Sequence, residues 1–109
     1  MSLLLPPQSD QEVLLSTHYA YLVCFALNGP PEVYPDFFRE LTYCDGWLNY
    51  VPGVWIVLTK LTLVSLTARL RPKIRTTDRL MVMPAKGPVD GWLPKDAWVW
   101  INKHVPKEW

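Results

Sequence analysis

The sequence predicts one α+β domain whose elements follow the order β-α-β-β-α-β, with a further helix at the C-terminal end. Three observations support this order. An uncharged, β-prone run at 19–27 stops at a Gly-Pro-Pro loop. Two β-rich runs are separated by Pro52-Gly53, which is the composition of a tight turn. Two other runs, one on each side of this hairpin, space their apolar residues three and four apart, as amphipathic helices do.

Length and composition limit the class of protein. The 109 residues suffice for one hydrophobic core, and we predict an N-terminal arm at 1–18 followed by a folded domain at 19–109. Half of the residues are hydrophobic and six are tryptophan, so we expect part of this apolar surface to face a partner. The net charge of +1 gives no overall electrostatic reason to bind nucleic acid or an anionic membrane.

Cysteine usage and the N-terminal residues indicate the compartment. Cys24 and Cys44 are too few for a disulfide framework and lack metal-binding spacing, so reduced thiols are expected. The apolar start at 3–5 lacks a basic segment and is too short for a signal peptide or a membrane span. We therefore expect a cytoplasmic protein that does not enter a membrane.

The first strand and the first helix follow from composition. The run at 19–27 carries no charge on either face, which favours a central position in the sheet. The run at 34–41 begins with Pro35 and Asp36, residues that suit the first turn of a helix, and its apolar residues share one side.

The hairpin and the second helix come next. The runs at 47–51 and 54–59 are rich in β-branched and aromatic residues and are predicted to form antiparallel strands. Apolar residues then recur with helical spacing over 63–74. Thr62 is placed to cap the start of this helix, and Pro72 lies near its end.

A fourth strand at 79–83, closed by Pro84, completes the order. This order predicts the ferredoxin-like arrangement, a four-stranded antiparallel sheet with two helices on one face. The runs at 19–27 and 54–59 are then central. The other face of the sheet is expected to be bare.

A C-terminal helix is predicted at 94–104, with Pro94 as its first helical residue and basic residues near its end. Trp98 and Trp100 lie about 200° apart on such a helix, so one contact stripe cannot cover both. The helix is therefore either sandwiched between two surfaces, or one tryptophan lies at an interface.

Residue types that carry chemistry are few. Asp36 and Glu40 lie four apart on a predicted helix and could share a divalent ion or a proton, although we favour a solvated helix face for them. Asp78 opens the fourth strand and suits a turn or a cap. His18 and His104 lie at opposite ends of the domain, and no spacing joins them to each other or to a cysteine. No catalytic or metal-binding residue is therefore assigned.

One cluster of basic residues is a candidate nucleic-acid-binding site. It consists of Arg69, Arg71, Lys73, Arg75 and Arg79. These residues cannot share one helical face, but a chain that leaves the helix at the neighbouring proline could present them together to phosphates. The alternative is a solvated helix end that complements the helix dipole.

Three short motifs carry a resemblance to a known family. They are YLVCFAL at 21–27, TDRLMV at 77–82 and GWLPKDAW at 91–98. With them the chain resembles the small bacterial proteins called SinR-like, which are similar to the VapD toxins and to the small CRISPR-associated nuclease. The resemblance covers roughly 19–105 and implies a ferredoxin-like homodimer.

The resemblance also implies a metal site that this sequence lacks. In the nuclease relatives the first strand ends with an aspartate, the presumed Mg²⁺ ligand, where this chain has Ala26. A methyl group does not bind Mg²⁺, and the neutral amide of Asn28 is a poorer ligand for a hard cation than a carboxylate. We therefore expect no catalytic residue and no cofactor, with Mg²⁺ needed only for a nuclease.

Three functions remain open from the sequence. We favour a non-catalytic dimeric interaction module, with nucleic acid or another protein as partner. The alternatives are a metal-dependent endonuclease or ribonuclease, which the resemblance implies, and a small-ligand regulatory domain. Apolar residues on both faces of the central strands predict a homodimer. Its predicted interface residues are Trp47, Trp55, Trp98 and Trp100.

Overall fold

A computed structural model describes residues 18–107, and each predicted helix and strand is present there. The predicted arm at 1–18 lies outside the described residues except for His18. The elements are β1 Tyr19–Ala26, α1 Pro35–Thr42, β2 Gly46–Val51, β3 Val54–Thr59, α2 Leu63–Leu70, β4 Arg79–Pro84 and α3 Lys95–His104. A 3-10 turn, Pro31–Val33, precedes α1, and another, Arg71–Lys73, follows α2. No helix within 18–107 is long and apolar enough to cross a membrane.

The four strands form one antiparallel sheet in the order β2-β3-β1-β4. Strand β1 pairs with β3 on one side and with β4 on the other, so the uncharged first strand is central. Val23 in the middle of β1 lies opposite Trp55 in β3 and opposite Val82 in β4. The molecule is thus an α+β domain whose edge strands in the described part of the chain are β2 and β4.

Helices α1 and α2 pack against one face of the sheet and form the main core. The largest fully buried side chains come from both helices and both central strands: Phe37, Leu41, Leu66, Leu70, Val23 and Val57. Phe25 adds an edge-to-face contact with Phe37, with ring centroids 5.0 Å apart. This core fixes α2 beside β4, which is where the candidate site forms.

The helix ends follow local rules, with one correction. The Thr62 hydroxyl oxygen accepts a hydrogen bond from the Ser65 N–H at 3.2 Å, so Thr62 caps α2 as predicted. Pro94 is not the first helical residue. Its backbone is extended, with a ψ of 155°, and its carbonyl accepts from the Ala97 N–H at 2.9 Å, so it is the N-cap and α3 begins at Lys95.

The opposite face of the sheet is not bare, which corrects the prediction. Helix α3 packs there through Trp100, Ile101 and Val105, which contact Leu48 of β2 and Ile56 of β3. The sequence could not reveal this docking, because the two-sided distribution of tryptophans on α3 fits either face of the sheet.

Residues 18–107 leave part of this second face uncovered. Directly opposite residues share a face, so Leu22 and Met83 lie side by side there, as do Cys24 and Met81. Met81 is 56% exposed and Met83 is 42% exposed, whereas Leu22 and Cys24 are half-buried. We call these four residues the methionine patch.

Candidate functional site

An open groove of about 930 Å³ lies between α2 and the start of β4. Its apolar lining includes Val64 on α2 and Leu80 on β4. Its polar lining includes Arg71, Arg75 and Arg79. We call this feature the arginine groove.

The structure divides the predicted basic cluster into two groups. Arg71, Arg75 and Arg79 line the arginine groove. Arg69 and Lys73 instead face Glu40 of α1, with nitrogen–oxygen distances of 3.6 and 3.7 Å. The division arises because the chain leaves α2 for the 3-10 turn Arg71–Lys73 and then extends, so successive residues no longer follow helical spacing.

Arg75 is held in place by its neighbours. Its guanidinium lies over the ring of Tyr34, 5.3 Å from the centroid, in a cation–π contact. Its backbone N–H donates to the Asp78 carboxylate at 2.8 Å. Arg79 is tied to the same residue, because its guanidinium donates to the Asp78 carbonyl at 3.3 Å. Both arginines at this end of the groove are therefore positioned through Asp78.

The Asp78 carboxylate is a buried anchor between the end of β1 and the start of β4. It accepts hydrogen bonds from the Asn28 N–H at 2.8 Å and from the Tyr34 hydroxyl at 3.0 Å, besides the one from Arg75. Burial alone would raise the pKa of Asp78, but the backbone donors, the Tyr34 hydroxyl and the charge of Arg75 together lower it. Asp78 therefore stays ionised and performs the turn role predicted from its sequence position.

The end of β1 shows where the resemblance would place a metal ligand. Ala26 lies opposite Arg79 and is exposed. The Asn28 side chain donates to the Thr77 carbonyl at 2.9 Å. Among residues 18–107, no group of three or more histidine, cysteine or acidic side chains is arranged to hold a metal ion.

The predicted carboxylate pair on α1 is divided between different cations. Arg39 donates to Asp36 at 2.6 Å, while Glu40 faces Arg69 and Lys73 from α2 and the turn after it. These contacts favour the interpretation as a charged helix face over a shared ion or proton.

The two cysteines are free in the structure. Burial raises the pKa of the Cys44 thiol to about 12, with Asp45 and Glu40 adding to the shift and Arg69 opposing it. A thiol with this pKa stays protonated near neutral pH and is a poor nucleophile.

The tryptophans predicted for an interface are largely covered within the chain. Trp55 is buried beneath α1 and α2, and Trp47 packs beside it with ring centroids 5.1 Å apart. Trp100 is buried on the second face, and Trp98 is half-buried next to it. Their role at an interface stays a prediction.

Sequence reasoning missed Trp92, whose side chain is 97% exposed in the loop before α3. No periodicity marks this residue, since it lies between Gly91 and Pro94 outside any helix or strand. The only sequence signal was a large aromatic residue in a loop that needs none for its turns.

The two histidines, predicted to lie apart, line one small cavity of about 140 Å³. His18 lies 2.7 Å from the Asp45 carboxylate. The Nδ1 atom of His104 is buried and has no hydrogen-bond partner in the described part of the chain. Burial lowers the pKa of His104 to about 4, and the charges of Lys103 and His18 contribute. Their meeting depends on α3 crossing the sheet, which no local motif signals.

Fold and site together define a small α+β domain with an arginine-lined groove on one side and a partly open sheet face on the other. No protein-family model, curated protein or solved structure matches this chain significantly. The SinR-like resemblance therefore stays a prediction from its three motifs.

Proposed function

We propose that this protein is a non-catalytic, dimeric interaction module that binds the phosphate backbone of nucleic acid through the arginine groove. The observation that carries the proposal is the convergence of Arg71, Arg75 and Arg79 on one open groove. Guanidinium groups present several donors in a plane, which suits phosphate oxygens. The apolar lining formed by residues such as Val64 and Leu80 offers contact to a sugar or a base.

The ferredoxin-like arrangement is part of this proposal. The sheet order β2-β3-β1-β4 and the position of α1 and α2 on one face support it. Helix α3 is an addition to that arrangement and occupies the other face. The arginine groove lies between α2 and the start of β4, whereas α3 packs on the other face of the sheet and does not cover it.

Two charge-matched variants test the role of the groove. Arg71→Ala with Arg79→Ala removes two groove cations, whereas Arg69→Ala with Lys73→Ala removes two cations that face Glu40. Binding of fluorescein-labelled single-stranded RNA and DNA is measured by anisotropy at several salt concentrations. We expect the groove variant to reduce the slope of log affinity against log salt by about 1.4, and the control to reduce it much less.

An equal loss of affinity in both variants would contradict binding through the arginine groove, because the affinity would then depend on net charge alone. If the protein binds neither the RNA nor the DNA, the proposal that its partner is nucleic acid is wrong.

The nuclease alternative follows from the resemblance alone. The same labelled oligonucleotides are incubated with Mg²⁺ or Mn²⁺, and we expect them to remain intact. Cleavage that a chelator abolishes would contradict the non-catalytic proposal.

The proposed dimer uses the open part of the second face. Met81 and Met83 expose apolar side chains to water, which is unfavourable. Contact with a second copy would bury them and so stabilise the dimer. Light scattering should therefore give about twice the chain mass of 12.6 kDa at micromolar concentration. A monomer at that concentration would contradict the dimer without affecting the groove.

A further inference from the structure

We propose that the loop at 85–94 reaches a second copy of this chain and places Trp92 on the methionine patch of that copy. This inference rests on the proposed dimer and names the contact that forms it. In a two-fold dimer the contact occurs twice, because each chain supplies one loop and one patch.

Trp92 is presented to solvent by the conformation of its loop. Gly91 has a φ of +149°, and no atom of the described chain lies within 4 Å of the position its Cβ would take. The indole of Trp92 is 97% exposed, and Val89 and Val99 add exposed apolar surface nearby in sequence. Tryptophan is the residue most often found as an energetic anchor of protein interfaces, so full exposure indicates a contact that the isolated chain lacks.

The methionine patch suits an indole ring. Thioethers are polarizable and adjust their rotamers to an aromatic partner. Half-buried Leu22 and Cys24 form apolar surface on β1 beside the exposed methionines of β4. The patch is therefore a soft, apolar surface without a charged side chain among its four members.

Two arguments favour a second copy as the occupant. The loop leads into α3, which packs on the same face of the sheet that carries the patch. A two-fold rotation that brings two such faces together can set each loop against the opposite patch. Both features also belong to the same chain, so a second copy supplies a partner for the exposed indole and for the exposed patch alike.

The first test is the dimer dissociation constant of Trp92→Ala, measured by sedimentation. We expect it to rise by roughly 30-fold or more for each of the two equivalent contacts. The control is Tyr43→Ala, which truncates an exposed aromatic residue after α1 and should leave the constant unchanged. Thermal unfolding of both variants checks that the exposed substitutions leave the fold intact.

A mixing experiment tests the reciprocity of the contact. Trp92→Ala and Met81→Asp each remove both contacts from a homodimer. A mixed dimer regains one intact contact, in which the wild-type Trp92 of one chain meets the wild-type Met81 of the other. We therefore expect the mixture to associate more tightly than either variant alone.

The outcomes separate this inference from the proposed dimer. If the wild-type protein is a monomer, the dimer proposal falls and this inference with it. If the protein is a dimer but Trp92→Ala does not weaken it, the contact of Trp92 with the methionine patch is overturned and the dimer is not. The same holds if the mixed variants associate no more tightly than each variant alone. Loss of nucleic-acid binding in Trp92→Ala with an unchanged dimer would also overturn it, since the indole would then serve as a stacking platform.

Discussion

Replacing Trp100 by alanine tests the packing of α3 on the second face of the sheet. Trp100 is 9% exposed and packs beside Ile101 against β2 and β3. A buried tryptophan removes about 200 Å² from water, worth about 5 kcal/mol as an upper limit. Because the unfolded chain already buries part of that area, we expect Trp100→Ala to lower the free energy of unfolding by about 3–4 kcal/mol.

The measurement is urea unfolding followed by circular dichroism, with Val99→Ala as the control on the same helix. Val99 is 61% exposed, so its truncation should change the free energy of unfolding by at most about 0.5 kcal/mol. If Trp100→Ala lowers the free energy of unfolding no more than Val99→Ala does, then α3 does not pack on the sheet. The exposed part of the second face would then be larger than the methionine patch.

Two further predictions concern particular residues of the fold. The pKa of His104 is lowered to about 4 in the folded chain, so the stability that its neutral form contributes is lost as pH falls from about 6.5 toward 4. Urea unfolding across this range should show a decline in the free energy of unfolding that His104→Gln lacks. Parallel plots of that free energy against pH for the two proteins would contradict this prediction. Gly53 has a φ of +76° and its Cβ would lie 2.8 Å from the Phe25 carbonyl oxygen, so Gly53→Ala should lower the free energy of unfolding by at least about 1–2 kcal/mol; a thermal midpoint equal to that of the wild type would refute this.

The elements that the sequence predicts well are those specified by neighbouring residues. The turn at Pro52-Gly53 needs a positive φ that glycine adopts readily, and Thr62 supplies its own hydrogen bond to the start of α2. Strand β1 is central because an uncharged run tolerates neighbours on both edges and both faces. In each case the physical cause lies within a few residues of its effect.

The features that the sequence did not predict depend on residues far apart in the chain. Arg69 and Lys73 do not line the arginine groove with the other arginines, because both lie next to Glu40 of α1. The packing of α3 depends on Leu48 and Ile56, which also fit an open sheet face. Trp92 is exposed in the loop that joins β4 to α3, where no periodic pattern in the sequence indicates whether a side chain is covered.

The end of β1 links these observations to the question of catalysis. In the described chain, Asp78 holds a carboxylate next to that end, 2.8 Å from the Asn28 N–H. Its oxygens already accept bonds from Asn28, Tyr34 and Arg75. A metal ion bound there would have to displace donors that fix both the strand end and the position of Arg75. The Asp78 carboxylate is thus already engaged in hydrogen bonds that hold the end of β1 and the position of Arg75 in the arginine groove.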